Sequence, residues 1–342
     1  MPEVTRISTR KSDHLRTNLD ENVQSGITTG LEHYRFIHRA LPEINMEDID
    51  LGVTLFGKHL QVPLLISSMT GGTEQAAQIN SILAEAAQVT GIAMGLGSQR
   101  AAIEHPELAD TFQVRSIAPD VLLFANLGAI QLNNGYGIDQ CQLAVDMIEG
   151  DALILHLNSM QEALQTEGET NFAGLLQKIE SICNKLPVPV IAKEVGWGFS
   201  TKDIKLLVNA GVAAIDVAGA GGTSWSQVEM YRAKDETQAR VAAAFVDWGV
   251  PTSQAIINVH QTAPQVPVFA SGGLRTGVEI AKCLALGASL GGMANPFLKA
   301  ASQSLETTIA LINELKREIQ VCMFGCAADN LASLQHSRLE SI

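Results

Sequence analysis

Short apolar runs separated by helical patterns dominate the chain from residue 63 onward. Between most of the runs, apolar residues recur with helical spacing, over residues 75–89, 138–149, 172–185, 201–210 and 277–286. Such alternation predicts a parallel sheet, and eight units over roughly 250 residues predict an α/β fold of the (β/α)8 TIM-barrel type. The eight predicted strands begin near Pro63, Gly91, Val121, Ala152, Pro189, Ala213, Pro267 and Ala288.

A doubly wound open sheet is the alternative architecture. That fold normally carries the motif GxGxxG directly after its first strand. Here the first predicted strand ends in SSMTGG at residues 67–72, which does not match. The pattern therefore favours the barrel.

The chain divides into an N-terminal extension, residues 1–62, and a barrel, residues 63–342. Within the extension, residues 29–39 predict a short helix or loop, and residues 49–55 a short strand. The longest interval between strands follows strand six, where residues 219–254 predict a long insert, a lid or interface loop. Residues 302–320 predict a closing helix, with a shorter helical piece over residues 327–334.

Composition narrows the class of protein. The chain has 342 residues, 46% of them hydrophobic, and a net charge of -13, which argues against a nucleic-acid partner. Five scattered cysteines indicate reduced thiols, and no apolar run approaches the roughly 18 residues of a membrane span. We expect a cytoplasmic protein with no membrane partner.

Polar residues stand at nearly every predicted strand end. The active sites of TIM barrels lie at these carboxyl ends, so the pattern predicts a large pocket rich in hydrogen-bonding groups. The glycine turns after strands seven and eight, residues 271–277 and 291–296, predict a phosphate site formed by backbone amides. The same turns also fit an α/β protein with no ligand there.

Lys193 lies inside the apolar strand VIAKE and needs a partner or a role. It could form a Schiff base, or its ammonium could stabilise negative charge on a flavin ring. Alternatively, Lys193 forms a structural ion pair with Glu194 or Asp216.

Seven motifs in fixed order resemble one family across nearly the whole chain: RKSDH at 10–14, SMTGG at 68–72, GSQR at 97–100, HLNSMQE at 156–162, KEVG at 193–196, GGTSW at 221–225 and SGGLRTG at 271–277. Together they resemble type 2 isopentenyl diphosphate isomerase. This family interconverts isopentenyl and dimethylallyl diphosphate with reduced FMN as an acid–base cofactor, a magnesium ion, and NADPH as reductant. Flavin-dependent hydroxy-acid oxidases share the barrel and the strand-five lysine, and a non-catalytic phosphate-binding barrel is a further alternative.

The resemblance implies roles for individual residues. Glu162 matches the metal ligand, and Gln161 and His156 match the catalytic positions. The implied substrate contacts are Arg10, Lys11, Ser98, Gln99, Arg100, His156, Asn158 and Gln161. The implied FMN contacts are Ser68, Met69, Thr70, Ser98, Asn126, Lys193, Thr223, Gly273, Leu274, Arg275, Ala294 and Asn295. At residues 294–297 the chain reads ANPF, where the family often has a cation before the proline.

The implied partner is a small-molecule diphosphate substrate. The family forms tetramers or octamers, so the resemblance also implies a homo-oligomer.

Overall fold

A closed barrel of parallel strands organises the computed structural model, which describes residues 17, 20–335 and 339–342. Each strand pairs with its sequence neighbours, and the first pairs with the last. The TIM-barrel prediction is therefore confirmed. The strands are β1 (Leu64–Ile66), β2 (Ala93–Gly95), β3 (Leu123–Gly128), β4 (Ala152–His156), β5 (Val190–Lys193), β6 (Ala214–Asp216), β7 (Val268–Ala270) and β8 (Leu290–Met293).

Helices surround the barrel and bury their apolar faces against it, as the helical spacing predicts. Thr73 caps the helix after β1 by accepting a hydrogen bond from the Ala76 N–H, and Gly91, with φ 67°, ends that helix. The α-helices of the described residues are Glu74–Thr90, Arg100–Glu104, Ile138–Ile148, Ser159–Leu164, Leu175–Lys185, Thr201–Asn209, Trp225–Tyr231, Glu236–Ala243, Thr252–Thr262, Gly277–Ala285, Asn295–Ala301, Leu305–Gly325 and Leu331–Gln335. Short 3-10 helices span Leu31–His33, Met46–Asp48, Pro106–Phe112 and Ala129–Asn133.

A hairpin of the N-terminal extension closes the barrel end where the strands begin. Its strands are Val53–Leu55 and Lys58–Leu60. Phe56 at its turn packs edge-on against Phe124 and Phe269, with ring centroids 6.4 and 6.5 Å away, and those two rings stack on each other at 5.8 Å. This apolar plug fills the barrel at the end where the strands begin, which leaves the carboxyl ends of the strands as the open end of the barrel.

Two segments outside the barrel differ from the prediction. Residues 29–39 contain a strand, Tyr34–Phe36, which pairs antiparallel with Leu339–Ser341 near the other end of the chain. The long insert after β6 was predicted as a loop and is largely helical. Asp235 caps its helix Glu236–Ala243 by accepting from the Gln238 N–H, a local signal that explains the helix.

Candidate active site

A cavity of about 800 Å³ opens at the carboxyl ends of the barrel strands. Its size suits a cofactor together with a small substrate. Every barrel strand end supplies lining residues. The predicted site residues that line it are Ser68, Met69, Thr70, Ser98, Arg100, Asn126, His156, Asn158, Gln161, Glu162, Lys193, Thr223, Gly273, Leu274, Arg275, Ala294 and Asn295.

Gln99 does not line this cavity, so the cavity gives no support to its predicted contact with substrate. The side chain is fully buried. Its Nε2 donates to the carbonyl of Ala144 at 2.7 Å, and its Oε1 accepts from the Asn126 N–H at 3.0 Å. Ser98 lines the cavity, whereas Gln99, at the start of the helix Arg100–Glu104, turns its side chain toward the helix Ile138–Ile148. Gln99 supports the position of Asn126 instead.

Arg10 and Lys11 lie outside the described residues. The extension nevertheless reaches the cavity within the described part, where Glu21, Val23 and Gln24 line it. Gln24 forms a β-bridge with Thr223, and its side-chain oxygen accepts a hydrogen bond from Arg275 Nη2. The predicted FMN residues Thr223 and Arg275 are thus both joined to the N-terminal segment.

The glycine turn after β7 packs backbone against backbone on the loop after β6. Gly272 and Gly273 have φ values of 104° and 79°, which side-chain-bearing residues rarely adopt. A Cβ atom on Gly273 would lie 2.5 Å from the Gly221 carbonyl oxygen, and one on Gly222 would lie 2.4 Å from the Gly273 nitrogen. Close backbone packing therefore demands these glycines, whether or not a phosphate binds there.

Two buried hydroxyls indicate that a polar ligand completes the cavity wall. Ser67 and Ser68 line the cavity, and the Oγ atom of each is buried without a hydrogen-bond partner in the structure. Leaving such groups unsatisfied costs about 1–3 kcal/mol each. A flavin carries ring carbonyls, ring nitrogens and ribityl hydroxyls that could satisfy them, so the residues present fit FMN.

Lys193 projects from β5 into the cavity wall and pairs with a carboxylate on β6. Its Nζ lies 3.1 Å from Asp216 Oδ2 and 3.4 Å from Ser271 Oγ, and that hydroxyl donates to Asp216 Oδ1 at 2.5 Å. Asp216 is 1% exposed, and Lys193 still lines the cavity. Of the alternatives open at the sequence level, the Lys193–Asp216 pair is present. It coexists with a lysine that faces the ligand space.

Glu194 organises the turn that follows Lys193. One carboxylate oxygen accepts from the N–H groups of Val195, Gly196 and Trp197 at 2.5–2.7 Å, and from Gly198 at 3.2 Å. Burial raises the pKa of Glu194 to about 7, although these N–H donors act in the opposite direction. The carboxylate is thereby committed to the turn, and the Lys193–Glu194 ion pair is absent from the described contacts.

A relay of amides orients His156 at the end of β4. Its Nδ1 lies 2.8 Å from Asn126 Oδ1 on β3, and the Asn126 N–H is held by Gln99. Asn126 Oδ1 can only accept, so Nδ1 carries the proton. The tautomer and ring orientation of His156 therefore depend on two neighbouring strand ends.

Gln161 and Glu162 lie side by side on the short helix after β4, and both are 8% exposed. Gln161 Nε2 donates to Glu229 Oε1 at 3.4 Å, and Asn158 Nδ2 donates to Glu162 Oε1 at 2.8 Å. Glu229 was missed by the sequence reasoning. It is 2% exposed, lies on Trp225–Tyr231 and pairs with Arg232 at 2.6 Å. The available signal was a carboxylate between two apolar residues, Val228 and Met230.

The carboxylate of Glu162 fits a magnesium ion whose other ligands come mainly from the substrate. Among the described residues, no group of three or more His, Cys, Asp or Glu side chains could hold a metal. Glu162 Oε2 accepts hydrogen bonds from Gln165 Nε2 and from the Glu169 N–H, and Glu162 Oε1 accepts one from Asn158 Nδ2. Magnesium commonly takes one or two carboxylates plus phosphate oxygens, which matches a single glutamate facing the cavity.

Comparison with known proteins identifies the family. The sequence profile of FMN-dependent dehydrogenases matches residues 6–114 and 140–341. The chain is 55% identical to the isopentenyl-diphosphate delta-isomerase of Nostoc sp., covering 96% of this chain and 94% of the relative. It is 52% identical to that of Stutzerimonas stutzeri, covering 96% of both chains.

Solved structures agree on the fold. A mandelate oxidase variant with a monooxide FMN adduct superimposes with a TM-score of 0.67 at 16% identity, over 97% of this chain and 99% of that one. A second, with (S)-mandelic acid, gives 0.68 at 17% identity, over 99% and 97%. These structural similarities show the shared barrel fold alone. The relatives of more than 50% sequence identity identify the branch of the family to which the chain belongs. The chain therefore belongs to the FMN-dependent dehydrogenase family and, within it, to the type 2 isopentenyl-diphosphate delta-isomerases.

Proposed function

We propose that this protein interconverts isopentenyl diphosphate and dimethylallyl diphosphate by a 1,3-allylic proton shift that requires reduced FMN and magnesium. The observation that carries the proposal is the shared cavity. Residues that fit a flavin, among them Lys193 and Arg275, line the same space as Gln161, Glu162 and His156. Cofactor and diphosphate can therefore occupy one cavity.

FMN would be held between the strand ends β1, β3, β5, β7 and β8. Ser68 and Asn126 offer side-chain polar groups, Lys193 offers a cation, and the turn at Gly273 with Arg275 offers phosphate contacts. Bound in its reduced form, FMN supplies the acid–base group for the proton shift and an anionic ring beside it. NADPH is the proposed reductant.

The substrate diphosphate would lie toward β2 and β4. Arg100 presents a guanidinium from the helix after β2, and Ser98, His156 and Asn158 line the adjoining wall. Glu162 would hold magnesium, which neutralises diphosphate charge. Arg10 and Lys11 of the N-terminal extension, which lie outside the described residues, are proposed to add cations to the diphosphate site.

Gln161 is proposed to orient the reacting end of the substrate. An amide is a poor base, so orientation suits it better than direct proton transfer. The hydrogen bond from Gln161 Nε2 to the buried Glu229 restrains the orientation of this amide. His156, locked by Asn126, can present its second ring nitrogen in a defined direction.

Oxidation of a 2-hydroxy acid is the competing activity on this fold. It needs a histidine base late in the barrel. His260 lies on the helix Thr252–Thr262 and lines a separate small cavity with Leu286 and Gly287. That position does not serve the main cavity, which favours isomerisation.

The test is proton NMR of isopentenyl diphosphate under anaerobic conditions with protein, magnesium and FMN. Conversion to dimethylallyl diphosphate is expected with NADPH or dithionite, and not with oxidised FMN alone. Equal conversion by FMN-free protein would refute the proposal. Visible absorbance of the purified protein separates a flavoprotein from a colourless scaffold.

The tetrameric or octameric assembly and the cytoplasmic location remain predictions. Within the described residues, no helix is both long and apolar enough to span a membrane.

A further inference from the structure

The loop that follows Glu162 returns to cover it. A Cβ atom on Gly168 would lie 1.7 Å from the carbonyl oxygen of Glu162, so only glycine permits this approach. The next residue, Glu169, donates its backbone N–H to Glu162 Oε2 at 2.8 Å. The loop thus occupies one carboxylate oxygen of the proposed metal ligand, whose other oxygen is contacted by Asn158.

The side chain of Glu169 joins two further elements. Its Oε2 accepts from Gln131 Nε2 at 2.6 Å, and its Oε1 lies 3.4 Å from Arg100 Nη1. Both Gln131 and Arg100 line the main cavity. Glu169 therefore links the wall after β3, the arginine after β2 and the carboxylate after β4, three elements far apart in sequence.

Arg100 is held on two sides. Its Nε donates to Glu104 Oε1 at 2.7 Å on the same helix, and Tyr136 Oη donates to that same oxygen at 3.2 Å. Burial alone would lower the pKa of Arg100, but the hydrogen bond and charge of Glu104, with Glu169 adding, raise it above the ordinary value. The guanidinium stays charged, and two carboxylates orient its plane: Glu104 contacts Nε and Glu169 contacts Nη1.

We propose that Glu169 is a positioning residue for the diphosphate–metal end of the substrate, aiming Arg100 and Glu162 at the same ligand. This inference rests on the proposed function. With Glu104 as its single partner, the Arg100 guanidinium would be held at Nε, and its two terminal nitrogens, Nη1 and Nη2, would be free to change position. Glu169 fixes the Nη1 end, while its own backbone fixes Glu162. A guanidinium held in this way loses less rotamer freedom when it binds phosphate oxygens.

A purely electrostatic role makes the opposite prediction. If Glu169 only offsets the charge of Arg100, removing its negative charge would tighten the binding of an anionic substrate. If Glu169 positions Arg100, removal would weaken binding. The sign of the change therefore distinguishes the two roles.

The experiment is isothermal titration calorimetry of isopentenyl diphosphate into FMN-loaded, oxidised protein with magnesium, where no turnover competes with binding. Glu169→Gln keeps the shape and removes the charge, and Glu169→Asp keeps the charge and shortens the reach. The matched control is Glu167→Gln, because Glu167 is in the same loop but its 3.4 Å pair with Lys234 is exposed on both sides. FMN content and urea unfolding verify that each variant is folded.

We expect both Glu169 variants to raise the dissociation constant about fivefold to tenfold, the range of an ordinary hydrogen bond, because the 3.4 Å contact with Arg100 is long. The control should stay within about twofold of wild type, the range of an exposed pair. In turnover assays KM should rise by a similar factor with a smaller change in kcat, because the affected groups bind the non-reacting end.

Unchanged or tighter binding by Glu169→Gln would overturn the positioning role, as would wild-type binding by Glu169→Asp. If the wild-type protein neither binds nor isomerises isopentenyl diphosphate, the proposed function itself fails, and the role of Glu169 falls with it. These failures are distinguishable because only the second affects the wild-type measurement.

Discussion

Replacing Lys193 by methionine separates its structural role from its proposed flavin role. The change removes the partner of Asp216, whose side chain is 1% exposed and 3.1 Å from the ammonium. Breaking a buried pair by deleting one partner costs about 3–5 kcal/mol, because the remaining charge is left uncompensated. Ser271 and the Ala218 N–H still donate to Asp216 Oδ1, which places the expected loss near the lower end of that range.

The assay is urea unfolding of FMN-free protein for Lys193→Met, Asp216→Asn and the double variant. Asp216→Asn removes the uncompensated charge, so the double variant should recover much of the stability lost in Lys193→Met. This double-mutant cycle measures the pair without any cofactor present.

FMN binding and redox potential then test the flavin role in the same variants. A cation near the reduced ring stabilises its negative charge, so both variants lacking Lys193 should bind FMN more weakly. Their midpoint potential should fall by about 30 mV, equivalent to about 1.4 kcal/mol for a two-electron couple. Wild-type FMN affinity and potential in the double variant would refute the flavin role and leave Lys193 as a structural partner of Asp216.

Further variants test the active site and the barrel plug. Glu162→Gln should shift the magnesium dependence of initial rates to higher concentration and raise KM, because the metal loses its carboxylate; an unchanged magnesium curve would contradict the assignment. Gln161→Ala should lower kcat more than it changes magnesium dependence, since its proposed role is to orient the reacting carbons. Phe269→Ala should destabilise the protein by about 3–5 kcal/mol in urea unfolding, because it empties a fully buried site between Phe124 and Phe56. A loss below about 1 kcal/mol would mean that the plug contributes little.

The barrel was predictable because its signals are local. Each strand is a short apolar run with polar or glycine residues at its carboxyl end, and the TIM-barrel rule converts those ends into a site. Lys193, His156 and the glycine turn at Gly273 lie at three such strand ends, and all three line the same cavity.

The remaining features depend on distant contacts. Glu229 lies 68 residues from Gln161, and Glu169 lies 69 residues from Arg100, so no motif spacing connects them. Gln99 shows a different limit, because the letters of a motif do not reveal whether a side chain in the turn after a strand faces the cavity or the surrounding helices. The pairing of Tyr34–Phe36 with Leu339–Ser341 joins opposite ends of the chain and has no local signature.

The most direct measurement follows substrate and flavin together under anaerobic conditions. Protein is reduced with a stoichiometric amount of dithionite and supplied with magnesium and excess isopentenyl diphosphate. Conversion is then recorded by NMR while visible absorbance reports the flavin. We expect many turnovers per flavin with the flavin remaining reduced, because the proposed reaction moves a proton and transfers no net electrons. Reoxidation of the flavin in proportion to substrate consumed would contradict this expectation and indicate an oxidoreductase instead.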